Sequence, residues 1–297
     1  LPDLKIACVG RSGQIARALA AAVLNDRSIS FTAGGRNEAD LLDPESLAGF
    51  IDRARPDVLI NAGAYNFVDR AETEIDEAMR INADGPRALA RRCRELGVAF
   101  IHMSTDCVFD GRKALPYTEE DEARPLSAYG RSKLAGELAV AEEYPEALTT
   151  RVAWVFSEHG DNFISKMIEL AGRRPVLKVV NDQIGPPTYA PDIAVALIRA
   201  AKEKAAGAGG LSGLMHVVSS DTLDRATMAK AIMAESKRQG GPAAEIEGVT
   251  TAEFAAAAAR PLNARLSNAK AVKRLGLTFT PWPEALRASV AGLLARA

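Results

Sequence analysis

Short apolar runs alternate with longer helix-period segments through the first half of the chain, and no other feature restricts its possible folds as much. The runs at 5–9, 29–33, 56–60 and 99–103 are rich in apolar residues and of strand length, as largely buried strands are. Helix signals fill the segments between them. An apolar period passes through Leu19 and Val23, and Asp43-Pro44 joins an N-cap to a proline at the first helical position. Helical patterns recur at 74–80 and 84–96, and at 133–142 through Leu134, Ala135, Leu138 and Ala141. A further strand signal covers 148–154. Strands joined through helices pair in parallel, with helices on both faces. The expected class is α/β with a doubly wound parallel sheet, and its sites should lie at the carboxyl ends of the strands.

The first strand runs into Gly10-Arg11-Ser12-Gly13-Gln14-Ile15-Ala16. Strand, glycine turn and helix is the context that makes such a turn a dinucleotide site, of Rossmann type. Gly10 and Gly13 allow the turn and let the backbone approach a diphosphate, while the helix N-terminus points at it. The second strand ends in Gly34-Gly35-Arg36. An acid there would bind both ribose hydroxyls of NAD; none is present, and Arg36 suits a 2′-phosphate. A solvated loop arginine is the alternative. Small residues Ala62, Gly63 and Ala64 at the third strand's end leave room for a cofactor across the sheet edge. Cofactor contacts are therefore expected from Gly10, Arg11, Ser12, Gly13, Gln14, Ile15, Arg36, Ala62, Gly63 and Ala64. Asn82 reads either as a helix-junction residue or as part of a polar network.

The stretch 104–133 opens with Ser104-Thr105-Asp106 after a buried strand and closes with Tyr129-Gly130-Arg131-Ser132-Lys133. Tyr129 and Lys133, four apart, share one helix face. An ammonium beside a phenol favours the phenolate and lowers its pKa, so the tyrosine can hand a proton to a carbonyl oxygen. Thr105, just past a strand end, offers a hydroxyl to the same oxygen. The loop 109–126, rich in acids, proline and glycine, is of a length usually functional or mobile.

Beyond Trp154 strict alternation stops. Helices are expected at 162–171, 191–204, 226–238 and after Pro283, and strands at 176–180 and 214–218. A small-residue connector spans 205–213. Thr250 and Glu253 fit a capping box for an alanine-rich helix ending before Arg260-Pro261. The expected division is a dinucleotide-binding core over 1–155 and a mainly substrate-binding mixed α/β lobe over 156–297, with some segments returning to the core sheet. A net charge of −1 gives no sign of a nucleic-acid or membrane surface. Cys8, Cys93 and Cys107 lack metal-ligand spacing, so no metal is expected and a reducing compartment is. With no signal-peptide pattern and no apolar run of bilayer length, a cytoplasmic location is expected.

Taken together, these residues resemble the extended short-chain dehydrogenase/reductase family, and within it the branch that reduces 4-keto-6-deoxy sugar nucleotides. The likeness covers almost the whole chain. It includes Gly10-x-x-Gly13-Gln14, Asp40-Leu41, Val68-Asp69-Arg70-Ala71-Glu72, Ser104-Thr105-Asp106-x-Val108-Phe109 and Pro125-Leu126-x-x-Tyr129-Gly130. It continues with Lys133-Leu134-Ala135-Gly136-Glu137, Arg151-x-x-Trp154-Val155 and Asn162-Phe163. It closes with Asn181-Asp182-Gln183-x-Gly185-x-Pro187-Thr188 and Arg260-Pro261-x-Asn263-x-x-Leu266. The resemblance implies Tyr129 as proton donor, Lys133 as its electrostatic partner and ribose anchor, and Thr105 as carbonyl-oxygen donor. It adds Asp40, Leu41, Tyr129 and Lys133 to the cofactor contacts. It puts Asp106, Cys107, Trp154, Asn162, Gln183 and Arg260 around a sugar nucleotide, with Trp154 offering a face to the sugar and Arg260 pairing with phosphate.

The implied reaction is the NADPH-dependent reduction of dTDP-4-dehydro-L-rhamnose or a related 4-keto sugar nucleotide, NADH being the alternative cofactor and a homodimer an allowed assembly. A regulatory subunit of the same fold is the rival, against which the intact Thr105, Tyr129 and Lys133 stand. The chain departs from the family pattern at Cys107, where an aromatic is usual, at Tyr65-Asn66 in place of His-Thr, and at Ala153 and Ala264 in place of serines. All of these lie on the expected substrate side.

Overall fold

The structure, a computed structural model, describes residues 3–207 and 211–296; positions 208–210 of the small-residue connector lie outside it. The first half runs β1 (Leu4–Val9), α1 (Gln14–Val23), β2 (Ile29–Gly34), α2 (Pro44–Ala54), β3 (Val58–Asn61), α3 (Ile75–Met79), α4 (Gly85–Leu96), β4 (Ala99–Thr105), α5 (Ala128–Glu143) and β5 (Leu148–Val152). The second half holds β6 (Val155–Phe156), α6 (Phe163–Ala171), β7 (Val176–Val180), β8 (Ile184–Gly185), β9 (Thr188–Tyr189), α7 (Ala190–Ala205) and β10 (Gly213–His216). It ends with β11 (Leu223–Asp224), α8 (Arg225–Arg238), β12 (Glu245–Val249), α9 (Thr251–Phe254), α10 (Ala269–Leu275) and α11 (Trp282–Leu294).

Among the described residues, six parallel strands form one sheet in the order β10-β5-β4-β3-β1-β2. Side chains alternate across it as the pleat requires. Ile6 and Cys8 of β1 pack with Leu19 of α1 and Ile193 and Leu197 of α7. Ala7 and Val9 pack on the other face with Leu47 of α2 and Leu89 of α4. Strand order reverses between β1 and β3, and such a reversal opens a crevice outside the strand ends. The doubly wound α/β fold is thus present, and its crevice lies where the glycine turn and Thr105 emerge.

The second half divides between two cores. α7 and β10 complete the central sheet, whereas α6, α8 and α11 surround the parallel pair β7–β12 around Phe156, Met228, Ile232 and Trp282. Two expectations need correction. The strand expected over 148–154 stops at Val152, because Trp154 adopts a left-handed backbone (φ 47°). The alanine-rich helix does start on the Thr250–Glu253 capping box, but it ends after one turn at Phe254. Ala255 turns left-handed (φ 49°), and the Ala258 N–H donates to Asp69 at 3.0 Å, drawing the chain toward the crevice instead of along a helix.

Candidate active site

The glycine turn is shaped first by packing. Gly10 has φ 104°, and a β-carbon there would lie 2.7 Å from the Gly63 nitrogen at the end of β3. Only glycine fits this approach. α1 begins after Gly13 with no side chain capping it, so its first N–H groups are available to an anion. From here a cavity of about 360 Å³ runs outward past Gly10, Arg11, Ser12, Arg36, Asp40, Leu41, Gly63 and Ala64. Arg36 is exposed on its wall, which Arg70 also lines. The acid thought missing is present in space. Glu38, four residues beyond β2, folds back to accept the Gly35 N–H at 3.0 Å and to pair with Arg11 at 3.0 Å. Asp40 is turned inward as well, accepting the Leu42 N–H at 3.0 Å.

A second cavity, of about 400 Å³, meets the first at Ala64. Its lining brings together Gly13, Gln14, Ile15, Ala62, Thr105, Asp106, Cys107, Tyr129, Lys133, Trp154, Gln183 and Arg260. Ser127 caps α5, accepting the Gly130 N–H at 3.1 Å, and this sets Tyr129 and Lys133 in the first turns. Thr105 accepts the Cys107 N–H at 3.2 Å and donates to Asp106 at 3.0 Å. Burial pushes Asp106 up to about 6, against the pull of the Thr105 hydrogen bond and of Arg225.

The Tyr129–Lys133 electrostatics differ from expectation. Lys133 donates its ammonium to the Met103 carbonyl oxygen at 2.7 Å, and burial lowers it to about 8 against the pull of Glu137. The Tyr129 phenol is raised, by burial first and then by Cys107 and Asp106. Desolvation of the phenolate is the main cause, opposed by a Thr105 hydrogen bond. Tyr129 therefore holds its proton at neutral pH.

Three substrate-side residues have commitments that the sequence did not disclose. Asn162 lies outside the cavity lining and caps α6, accepting from Ile164 and Ser165 while its amide donates to Gln14 and Ser157. Its role in this structure is to tie the glycine turn to the lobe. Arg260 forks onto Asp69 at 3.0 and 2.7 Å. Trp154 has the Arg225 guanidinium 3.5 Å from its ring centre. Gly185 admits the indole, for a β-carbon there would lie 2.5 Å from it.

A sequence model of the family described as "RmlD substrate binding domain" matches residues 4–294. The chain belongs to this family. A protein of Sinorhizobium fredii named dTDP-4-dehydrorhamnose reductase is 39% identical over 292 residues, 98% of each chain. A solved dTDP-4-dehydrorhamnose reductase of Clostridium acetobutylicum superposes with a TM-score of 0.88 at 30% identity, covering 99% of this chain and 100% of that one. Another, of Bacillus anthracis, was solved in complex with NADP; its TM-score is 0.86 at 28% identity, with 99% of both chains covered.

Within the RmlD substrate binding domain family, the departures noted at Cys107 and Ala264 both line the second cavity, whereas Ala153 is buried beside Val108 and Phe109. Tyr65 is buried, and its hydroxyl hydrogen-bonds Glu74, outside the lining; Asn66 does line it. Asn82 proves to be a network residue, accepting from the Tyr65 N–H at 2.8 Å and donating to Ser132 at 2.9 Å. Arg225 is, with Asp161, a charged cavity residue that sequence reasoning missed. Its one signal was its place directly after Asp224, which caps α8.

Proposed function

We propose that this chain reduces a 4-keto-6-deoxy sugar nucleotide with NADPH, and that the substrate is dTDP-4-dehydro-L-rhamnose. The observation that carries the proposal is the meeting of Thr105, Tyr129 and Lys133 in one cavity that joins the glycine-turn groove. That groove fits a dinucleotide: an uncapped helix N-terminus for a diphosphate, a floor of Ala62, Gly63 and Ala64, and arginines 11, 36 and 70 on the outer wall. Arg36 favours the 2′-phosphate of NADPH, whereas Arg70 is paired with Glu74. The names of the relatives support the same substrate and cofactor.

When bound, NADPH supplies a hydride to the ketone carbon. The residues manage the oxygen. Tyr129 donates a hydrogen bond to it, Thr105 adds a second by turning its one hydroxyl proton from Asp106 to the substrate, and the phenol proton passes to the oxygen as negative charge develops there. A phenol that holds its proton before reaction is poised as an acid. Lys133, one helical turn away, balances the phenolate that remains. Gln183 offers donors and acceptors to sugar hydroxyls.

The test compares dTDP-4-dehydro-L-rhamnose with the free keto sugar. Diphosphate and base contacts help hold the carbonyl in place, so the free sugar should react with a much lower kcat/KM. Equal kcat/KM for both would refute the nucleotide-sugar assignment.

A further inference from the structure

Arg225 stands at the first position of α8, half-buried, with its side chain in the second cavity. Its guanidinium lies 3.5 Å from the Trp154 ring centre and 4.8 Å from that of Phe163. Among the described residues it makes no ion pair and no side-chain hydrogen bond. Stacking on rings fixes the plane of a guanidinium while leaving its N–H edge free. A planar fork held in this way is matched to paired anionic oxygens.

The other cations of the cavity are already engaged. Lys133 donates to Met103, and Arg260 is forked onto Asp69. Asp106 and Asp161 add carboxyl groups to the same lining. Arg225 is the cavity cation whose donors nothing among the described residues claims. It also covers the indole, so Trp154 serves as a platform for the arginine at the ring face expected for the sugar.

Resting on the sugar-nucleotide reading above, we propose that Arg225 binds the substrate's diphosphate through its free N–H edge, with Trp154 and Phe163 holding the guanidinium in place. The lobe thereby supplies the phosphate cation from α8, with Arg260 and Asp69 as a neutralised pair beside it.

The test is calorimetric titration of the full chain, saturated with NADP⁺, with dTDP and with thymidine. Wild type, Arg225→Ala and Arg225→Lys are compared. Arg225→Ala should weaken dTDP by about tenfold or more, the size of a lost charge-assisted contact, and leave thymidine and NADPH affinities unchanged. Arg225→Lys should fall between, since it keeps the charge and loses the fork. Wild-type dTDP affinity in Arg225→Ala overturns the proposal. So does an equal loss for dTDP and thymidine, which is what a mere prop for Trp154 would give. A wild type that does not bind dTDP refutes the nucleotide-sugar reading itself, and the proposal with it.

Discussion

Asp106 holds a carboxyl group where ionisation is costly. It is buried beside Thr105, and burial raises it from 3.8 to about 6. A raised folded value means that the protonated form is favoured in the folded state. The resulting stability is complete below the ordinary carboxylate value and is lost as pH climbs through about 6. The gap corresponds to ~3 kcal/mol at neutral pH. Asp106→Asn keeps an acceptor for Thr105 and should stabilise the fold at pH 7, with the gain vanishing near pH 4. Denaturant unfolding at both pH values checks this, and an equal gain at both would contradict it. Keeping an acid there at such a cost fits a functional site. Much at this scale was legible, because Thr105, Tyr129 and Lys133 lie within one continuous stretch. The commitments of Arg260 were not: its partner Asp69 is 191 residues away. Nor does a sequence say that a guanidinium will lie on Trp154.

Between elements, α5 and β5 are joined by a buried ion pair. Arg151 forks onto Glu137 at 2.8 and 2.6 Å, with side-chain exposures of 3% and 4%, and its guanidinium lies 4.9 Å from the Phe109 ring centre. Removing one partner leaves an uncompensated buried charge, so Glu137→Ala should cost about 3–5 kcal/mol. Glu137→Leu combined with Arg151→Met should recover most of that loss. Unfolding free energies of the wild type and these two variants decide it, and a single variant costing no more than an exposed pair would contradict the account. The elements most legible in the sequence were the parallel strands, because burial on both faces makes them apolar runs. β12 was not legible: Glu245 and Glu247 are exposed and interrupt any such run. The alanine-rich segment read as a longer helix because alanine propensity is high. The hydrogen bond from Ala258 to Asp69 overrides that local preference.

At the scale of the molecule, contacts between distant parts of the chain close the site from three sides. Gln14 at the glycine turn accepts from Asn162 and Ser157 of the lobe. Asp69 holds Arg260, and Asn263 donates to the Lys113 and Leu115 carbonyls of the long loop. That loop is pinned to the C-terminal segment, with Tyr117 stacked on Phe109 at 4.1 Å. The second cavity thus takes its walls from both halves, and it meets the glycine-turn groove at Ala64. On the proposed function, the ketone is reduced in this space with Tyr129 as its proton donor. The direct measurement is single-turnover oxidation of NADPH on mixing with dTDP-4-dehydro-L-rhamnose, for wild type and Tyr129→Phe. The account predicts turnover by the wild type, a loss of roughly 10²-fold or more in the Phe variant, and unchanged NADPH affinity. A wild type that leaves NADPH unoxidised, or a Phe variant that keeps the wild-type rate, would contradict it.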